Sequence, residues 1–496
     1  MTERNFLAFD LGAESGRAIV GTLADGRVTL REVHRFPNEP VSLFGRLHWN
    51  VHSLFEEIQK GLAACASAGG SIESIAVDSW GVDFGLLAAD SSLLGLPYAY
   101  RDARNIPAME RYLARVPRER IYERTGIQFL PFNSLFQLQA LADENPELLR
   151  AADRLLFMPD LMTYFLSGVK INEATIASTS QMIDPFTRDW SEEILSTLQI
   201  PPGLLRRPVE PGRVVGRLLP GPAKDSGLAE VPVTATAGHD TAAAVAAVPA
   251  EGKNWAYISS GTWSLVGLES PTPIITSRTL ALNFTNEGGL GGTTRFLKNV
   301  TGLWLVQGCR RKWNAESPIG YDDLKRLAED APPFEAFVDP DAPEFRNPHD
   351  MPAAIRGFCL RTGQNPPQAP GAVVRCALES LALKYRLVLD ELREVSPAPI
   401  EKIHIIGGGS RNWVLNRFTA DATGLPVVAG PVEATALGNI LGQALALGLV
   451  HTLDEMRRLV IASVRLETYE PRGGSAWDAA YERFREILRR GEVPTV

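Results

Sequence analysis

The chain opens with Phe6-Leu-Ala-Phe-Asp-Leu-Gly-Ala-Glu-Ser-Gly-Arg-Ala-Ile-Val-Gly21, and this segment indicates the architecture more directly than any other. It predicts an apolar strand, a tight turn of small residues and a second apolar strand. The pattern returns in mid-chain as Trp255-Ala-Tyr-Ile-Ser-Ser-Gly-Thr-Trp-Ser-Leu-Val-Gly267. Turns of this kind present backbone N–H groups and hydroxyl groups that hold phosphate oxygens. Because one hairpin opens each half of the chain, the sequence predicts two similar lobes that grip one nucleotide.

Length and composition are those of a globular protein with more than one domain. A chain of 496 residues is too long for one ordinary core. The net charge of −8 offers no basic surface, so we expect no nucleic-acid partner. The chain starts without a basic and apolar leader, and the apolar run 242–248 is too short to cross a bilayer. We therefore expect a cytoplasmic protein with no membrane partner.

Strands alternate with helices along the chain, which predicts an α/β fold. The strand at 231–237 leads through Gly-His-Asp-Thr and an Ala-rich helix to the second hairpin. This order places a domain boundary after residue 245. We expect an N-terminal domain over 1–245, a C-terminal domain over 246–450 and a helical extension over 451–496. Around Asp78-Ser-Trp-Gly81, the flanking apolar segments predict a further hairpin or a strand with a turn.

Two aspartates are candidates for chemistry because they follow apolar strands. Asp10 stands beside glycines, where it could contact Mg²⁺ through water near phosphates, since Mg²⁺ keeps several waters. A turn aspartate that caps local N–H groups is an equal alternative for Asp10. Asp240 stands at the start of a helix, whose dipole favours the ionised carboxylate that a base needs to accept a proton from a sugar hydroxyl. A simple N-cap is the alternative for Asp240.

Three further segments are candidates for ligand contact. Gly407-Gly-Gly409 lies between a strand and a helix and either lets a ligand approach the backbone or forms a plain turn. Trp80, Gly81 and Asp83 combine a ring with hydrogen-bonding groups, as sugar sites do, although an isolated Trp is more often core. Asn299 either holds a hydroxyl group or stabilises its loop. The chain has no GxxxxGK[ST] motif, which disfavours a Walker-type ATPase.

Five motifs occur in a fixed order along the chain. They are Asp10-Leu-Gly with Gly16-Arg17, Gly238-His-Asp-Thr241, Ser259-Ser-Gly-Thr-Trp-Ser264, Gly407-Gly-Gly409 and Glu433-Ala-Thr-Ala-Leu-Gly438. As a set they resemble the FGGY carbohydrate kinases, from the first strand to about residue 450. Finer phrases resemble the bacterial members of that family that act on L-rhamnulose. These phrases are 77–84, 100–104, 126–133, 286–289 and 297–305.

The resemblance implies a two-lobed actin/Hsp70-like ATPase fold of ribonuclease H-like type, with nucleotide and sugar in the interdomain cleft. It implies that ATP and Mg²⁺ serve to phosphorylate the C1 hydroxyl of L-rhamnulose, a small ketose, in L-rhamnose breakdown. It assigns the catalytic base to Asp240, the sugar to Gly81, His239, Asp240, Thr241 and Asn299, and the nucleotide to Ala13, Glu14, Ser15, Gly16, Arg17, Thr262, Gln307 and Gly408. Asp10 would meet Mg²⁺ through water.

Glu14 departs from the family pattern, in which a small hydroxyl residue is usual at this turn position. Its charge should weaken ATP binding unless the side chain points away or meets Mg²⁺. The alternatives to an L-rhamnulose kinase are a related kinase for L-fuculose or L-xylulose, a partner-driven actin/Hsp70-like ATPase, and a sugar-sensing regulator. The acidic net charge speaks against the regulator. We expect a monomer or a homodimer.

Overall fold

The computed structural model describes residues 3–315 and 317–491. Residues 492–496 of the predicted C-terminal extension lie outside this part of the chain. The strands are β1 (Arg4–Leu11), β2 (Ser15–Ala24), β3 (Arg27–Pro37), β4 (Val41–Leu43), β5 (Arg46–His48), β6 (Ile72–Ser79), β7 (Phe84–Leu87), β8 (Arg154–Phe157), β9 (Ile183–Asp184), β10 (Asp189–Trp190), β11 (Arg213–Arg217), β12 (Pro232–Ala235), β13 (Trp255–Ser260), β14 (Trp263–Ser270), β15 (Thr285–Gly288), β16 (Thr294–Thr301), β17 (Lys402–Ile406), β18 (Val427–Ala429) and β19 (Glu467–Tyr469).

Helices lie between most of these strands. They are α1 (Val51–Ser67), α2 (Asn105–Leu113), α3 (Arg118–Thr125), α4 (Ser134–Glu144), α5 (Pro146–Ala151), α6 (Met158–Ser167), α7 (Ala174–Ser178), α8 (Glu192–Leu195), α9 (Pro220–Ser226), α10 (Asp240–Ala246), α11 (Ser277–Ala281), α12 (Trp304–Asn314), α13 (Tyr321–Asp330), α14 (Met351–Arg361), α15 (Pro370–Val395), α16 (Trp413–Thr423), α17 (Ala434–Ala446), α18 (Leu453–Ser463) and α19 (Ser475–Gly491). No helix of the described residues is both long and apolar enough to cross a membrane.

The first large sheet has six strands in the order β11-β12-β6-β1-β2-β3. Strands β1, β2 and β3 are antiparallel neighbours, whereas β6 is parallel to both β1 and β12. Helices α1, α6 and α17 pack against this sheet, which explains why β1 reads as an unbroken apolar run. Because β1, β6 and β12 run the same way, their carboxyl ends meet at one edge of the sheet.

The second large sheet has seven strands in the order β15-β16-β14-β13-β17-β18-β19. Its β13–β14 pair is antiparallel, and β17 is parallel to both β13 and β18. Each large sheet therefore contains an antiparallel hairpin whose first strand also pairs with a parallel strand from later in the chain. Both hairpins predicted from the sequence are confirmed, and so is the α/β fold with two similar sheets.

The chain forms two compact units, each built from separate stretches of sequence. Unit 1 comprises residues 1–249, 269–296 and 434–463. Unit 2 comprises residues 250–268, 297–433 and 464–496. The boundary predicted after residue 245 stays a prediction of where the two family domains meet.

Within unit 1, helix α17 lies directly on helix α10. A Cβ atom at Gly438 would stand 1.8 Å from the carbonyl oxygen of Ala243, so only glycine permits this approach. One turn later, a Cβ at Gly442 would stand 2.2 Å from the hydroxyl of Thr236. Gly438 lets the backbones of α17 and α10 touch, and Gly442 lets α17 approach the segment that follows β12.

Of the two predictions for the segment after β6, the further hairpin is wrong, whereas a strand with a turn agrees with the structure. Strand β7 does not pair with β6 but with β8, in a small antiparallel sheet of its own. Strand β6 ends at Ser79, and Val82 in the segment before β7 has a φ of 70°, a left-handed value that a β-branched residue rarely adopts.

Candidate active site

Carboxylates gather where the parallel strands of the first sheet end. Asp10 of β1 is the register partner of Asp78 of β6. The next residue of β6, Ser79, forms a parallel bridge with His239, which follows β12. Asp240 comes directly after His239 as the first residue of α10. The register of three strands thus brings Asp10, Asp78 and Asp240 to one edge of unit 1.

Asp10 and Asp78 differ in how their charge is compensated. Asp10 forms an ion pair with Arg17, its partner in the antiparallel register of β1 and β2. Asp78 is fully buried and accepts a hydrogen bond of 2.6 Å from Nδ2 of Asn439, while its Oδ1 accepts none from the described residues. Burial, and then the Asp10 carboxylate, raise the pKa of Asp78 well above its usual value. The raised pKa of Asp78 means that this edge disfavours a second ionised carboxylate beside Asp10, a repulsion that a bound cation would relieve.

Asp240 is the carboxylate of this group that solvent can reach. Its side chain is 32% exposed. Its Oδ1 accepts hydrogen bonds from the backbone N–H and from the hydroxyl of Thr241. Partial burial, and then the Asp10 carboxylate, raise the pKa of Asp240 to about 7, so the group can take up and release a proton near neutral pH.

His239 lies between Asp240 and a fully buried ion pair. Its Nε2 is 3.4 Å from Oδ1 of Asp240. Its Nδ1 is 3.0 Å from Nη2 of Arg295 and 3.5 Å from Oε2 of Glu287. Burial, and then the positive charge of Arg295, lower the pKa of His239 well below its usual value. The imidazole is therefore neutral at physiological pH.

The turn that carries His239 and Asp240 is held by the start of helix α7. Glu173 caps this helix, and its Oε2 also accepts the N–H of Gly238 at 3.0 Å. The hydroxyl of Thr175 accepts the N–H of His239 at 3.2 Å. Burial raises the pKa of Glu173 to about 7, although the surrounding donors oppose this shift. Glu173 thereby links the fold of α7 to the position of the base.

The end of the same helix holds two more segments of the site. The hydroxyl of Thr179 accepts the N–H of Val82 at 3.1 Å, and the hydroxyl of Ser178 accepts the N–H of Gly288 at 2.8 Å. A Cβ atom at Gly81 would lie 3.4 Å from Nε2 of His239. The backbone of Gly81 is thus next to His239, as sugar contacts from both would require.

The Asp83 carboxylate stabilises the loops around it. Its carboxylate is completely buried and accepts hydrogen bonds from the indole N–H groups of Trp49 and Trp80, from the N–H of Tyr100 and from Nε2 of Gln137. With its oxygens engaged in this way, Asp83 organises the loop rather than presenting a carboxylate to a sugar. Trp80 is 6% exposed and packs on Trp49, which agrees with the core alternative.

The turn residues of the first hairpin differ in their exposure to solvent. Ala13, Ser15 and Arg17 are half-buried, Gly16 is buried and Glu14 is exposed. A Cβ atom at Gly16 would stand 2.2 Å from the ring of Phe36, so this position needs glycine. Glu14 is exposed, so its carboxylate can point into solvent. In that orientation its charge need not weaken ATP binding.

The remaining predicted residues lie in unit 2. Thr262 stands in the turn of the second hairpin, where its carbonyl oxygen accepts the N–H of Gly302 at 3.0 Å. Asn299 is half-buried on β16. Gln307 is half-buried on α12, and its Oε1 has no hydrogen-bond partner among the described residues. Gly408 is exposed with open space where a side chain would stand. The buried Oε1 of Gln307 needs an explanation, and a hydrogen-bond donor on a bound ligand would supply one.

The charge at the strand ends of unit 1 fits a cation held through water. No group of three or more His, Cys, Asp or Glu side chains in the described residues is arranged to hold a metal ion directly. Mg²⁺ needs only one or two carboxylates, because it keeps waters and binds substrate phosphates. Asp10 and its register partner Asp78, whose Oδ1 accepts no hydrogen bond from the described residues, would fit this requirement.

Several contributors to this site were not among the predicted functional residues. Asp78 ends an apolar strand as Asp10 does, so the argument used for Asp10 would have found it. Arg295 gave a weaker signal, a charged residue directly before two apolar residues of strand β16. Nothing local indicated that Glu173 would reach Gly238, since this contact depends on the packing of α7 beside β12.

Comparison with known proteins gives matches to both halves of the chain. The sequence model for the N-terminal domain of the FGGY family of carbohydrate kinases matches residues 5–247. The model for the C-terminal domain of that family matches residues 256–447. The chain is 48% identical over 487 residues to a rhamnulokinase of Bacteroides thetaiotaomicron, covering 98% of this chain and 100% of that protein. It is 43% identical over 499 residues to a rhamnulokinase of Pectobacterium carotovorum, covering 100% of this chain and 98% of that protein.

Solved structures show the same fold at lower identity. A xylulose kinase from Lactobacillus acidophilus superimposes with a TM-score of 0.81 at 17% identity, covering 98% of this chain and 97% of that chain. A glycerol kinase from Plasmodium falciparum with ADP gives a TM-score of 0.77 at 15% identity, covering 99% of this chain and 98% of that chain. These likenesses support the two-domain actin/Hsp70-like fold.

Proposed function

Because the chain belongs to the FGGY family of carbohydrate kinases, we propose that it transfers the γ-phosphoryl group of ATP to the C1 hydroxyl group of L-rhamnulose. The products are L-rhamnulose 1-phosphate and ADP, and the reaction serves L-rhamnose breakdown. The substrate follows from relatives named rhamnulokinase that share 48% and 43% identity over nearly the whole chain. The observation that carries the reaction type is the position of Asp240, a carboxylate that is 32% exposed at the start of α10, where the parallel strands of the first sheet end.

Asp240 is the proposed catalytic base. Thr241 donates both of its hydrogen bonds to Oδ1, and Nε2 of His239 faces the same oxygen. Because these groups converge on Oδ1, we assign Oδ2 to the C1 hydroxyl of the sugar. The hydroxyl oxygen attacks the γ-phosphorus as its proton passes to Asp240, and the bond from the γ-phosphorus to the bridging oxygen breaks to release ADP. A positioned base of this kind contributes about 10²- to 10⁴-fold to the rate.

The sugar is proposed to contact Gly81, His239, Asp240, Thr241 and Asn299. Three of these surround one spot in unit 1, since Gly81 lies against Nε2 of His239 and that nitrogen faces Asp240. The neutral state of His239 matters here, because a neutral imidazole donates to a hydroxyl or carboxylate without adding a positive charge beside the base. Gly81 offers backbone groups at a place where a side chain would occupy the space of the sugar.

The nucleotide is proposed to contact residues of each unit. In unit 1 these are Ala13, Glu14, Ser15, Gly16 and Arg17, through the turn of the first hairpin. In unit 2 they are Thr262, Gln307 and Gly408. Mg²⁺, held through water by Asp10, would supply positive charge that offsets the charge of the phosphate oxygens. Backbone N–H groups of the hairpin turns add fixed dipoles that favour the same negative charge.

Cytoplasmic location and a monomeric or homodimeric state are part of the same proposal. ATP as phosphate donor supports the cytoplasm, and the buried free thiols of Cys65, Cys309, Cys359 and Cys376 suit a reducing compartment. Light scattering on the purified protein measures the oligomeric state.

The test of the function is ADP release from Mg-ATP with a panel of L-rhamnulose, L-fuculose, L-xylulose, D-xylulose and glycerol. Strong and selective stimulation by L-rhamnulose is the expected result. Preference for another ketose would move the specificity while keeping the reaction. Steady ATP hydrolysis that no sugar stimulates would contradict the proposal and favour a partner-driven ATPase.

A further inference from the structure

Arg295 is a fully buried cation beside the candidate site. It lies on β16 with a side-chain exposure of 0%. Its Nη2 is 3.0 Å from Oε2 of Glu287 and 3.0 Å from Nδ1 of His239, and its Nε donates to the carbonyl oxygen of Gly288 at 2.9 Å. Removing a guanidinium charge from water costs free energy, which only well-placed contacts with the protein can offset.

The contact with His239 determines which ring nitrogen carries the proton. A guanidinium group has only donors, so Nδ1 of His239 can only accept from Arg295. The proton of the neutral imidazole must then reside on Nε2. Nε2 faces Oδ1 of Asp240 at 3.4 Å, so this tautomer points an N–H group at the carboxylate.

Glu287 would favour the opposite tautomer if Arg295 were absent. Its Oε2 is 3.5 Å from Nδ1 of His239 and can only accept a hydrogen bond when ionised. Without the guanidinium, Nδ1–H would donate to Glu287, and Nε2 would present a lone pair to Asp240. Two acceptors would then face each other beside the proposed base.

We infer that Arg295 is a positioning residue that fixes His239 as the Nε2–H tautomer, so that His239 donates toward Asp240 and the sugar. Glu287 holds Arg295 in place by the ion pair but does not itself receive the imidazole proton. Glu287, Arg295, His239 and Asp240 thus form a chain of successive side-chain contacts within unit 1. Its effect on the rate rests on the proposed function, whereas its effect on the tautomer does not.

The test is a proton-nitrogen correlation spectrum of the protein with ¹⁵N-labelled histidine rings. The chain has 7 histidines, and His239→Asn identifies the signal of His239. We expect the wild-type protein to show the Nε2–H tautomer at neutral pH without any substrate. Arg295→Met should convert His239 to the Nδ1–H form. A wild-type spectrum with Nδ1–H, or an Arg295→Met spectrum that keeps Nε2–H, would overturn the inference.

Arg457→Met is the matched control. Arg457 is also buried in unit 1 and pairs with Glu269 at 2.9 Å, so its loss removes a comparable ion pair without touching His239. The His239 signal should be unchanged in this variant. If Arg295→Met fails to fold, the wild-type spectrum alone decides the tautomer.

Kinetics supply a second readout. Arg295→Met should lower kcat for the sugar by about 10- to 100-fold, the usual cost of removing a group that orients a functional side chain. The KM for ATP should change little, and Arg295→Lys should recover part of kcat. If the wild-type protein phosphorylated no sugar, the proposed function would fail while the spectrum would still decide the tautomer.

Discussion

At the scale of single residues, the reactivity of the site depends on Asp240. We expect Asp240→Asn to lower kcat by about 10²- to 10⁴-fold because the amide cannot accept the hydroxyl proton. Sugar affinity should stay within a few-fold, since Asn keeps the size and most hydrogen bonds. ADP release measures kcat and titration calorimetry measures binding. The exposed Asp225→Asn serves as the control and should behave as the wild type does. Near-normal turnover of Asp240→Asn would remove this residue from the role of base.

The pH dependence of the rate follows from the same group. A base acts only when it is deprotonated, and the pKa of Asp240 is about 7. We therefore expect kcat/KM for the sugar to be level above this value and to fall about tenfold per pH unit below it. The Thr241 hydroxyl lowers the pKa of Asp240, so Thr241→Val should move the fall to higher pH. If Thr241→Val did not shift the pH at which kcat/KM falls, a group other than Asp240 would control that fall.

At the scale of elements, the contact of α17 with α10 sets where the base lies. We expect Gly438→Ala to displace α10, because the new methyl group would stand 1.8 Å from the carbonyl oxygen of Ala243. Overpacking of this kind costs about 1–3 kcal/mol in the free energy of unfolding, and kcat should fall with it. Thermal unfolding and ADP release measure the two effects.

Gly357→Ala is the control for this substitution. Gly357 also lies inside a helix, α14, but has open space where the methyl group would stand. Alanine there should stabilise the protein by about 0.5–1 kcal/mol and leave kcat unchanged. Equal effects of the two substitutions would contradict a specific role of Gly438.

The start of α7 carries a second prediction at this scale. The Glu173 carboxylate accepts from the N–H groups of Gly238 and Ile176 and from the hydroxyl of Thr175. Glu173→Gln would turn an NH₂ group toward one of these donors. We expect a loss of about 1–3 kcal/mol in the free energy of unfolding, together with a lower kcat. Glu192→Gln, at the exposed start of α8, should change neither quantity.

The elements also show how far sequence reasoning reaches. The two hairpins were predictable because apolar alternation and small turn residues are local signals. The opposition of Asp10 and Arg17 follows from the hairpin register once the turn is known. The pairing of β7 with β8 was not predictable, because the two strands are distant in sequence. The contact between Arg295 and His239 was not predictable either, because the two residues are 56 positions apart in sequence.

At the scale of the whole molecule, ligands should stabilise the fold in the order of their affinity. A ligand at one hundred times its Kd adds about 2.7 kcal/mol to the free energy of unfolding, if it binds only the folded chain. We expect L-rhamnulose to raise the unfolding temperature more than L-fuculose does at equal concentration. A panel of sugars in a thermal shift assay makes the comparison. An equal shift with every sugar would speak against specific recognition of L-rhamnulose.

The contact between α17 and α10 joins two segments that the ribosome makes at different times. Residues 1–249 leave the ribosome first, but unit 1 also needs residues 434–463. Synthesis of the interval between them takes roughly 10–40 s at 5–20 residues per second. During that time the surface that α17 will cover has no partner from its own unit. The nascent chain therefore carries this apolar face uncovered until α17 has been made, and we expect it to bind chaperones during that interval.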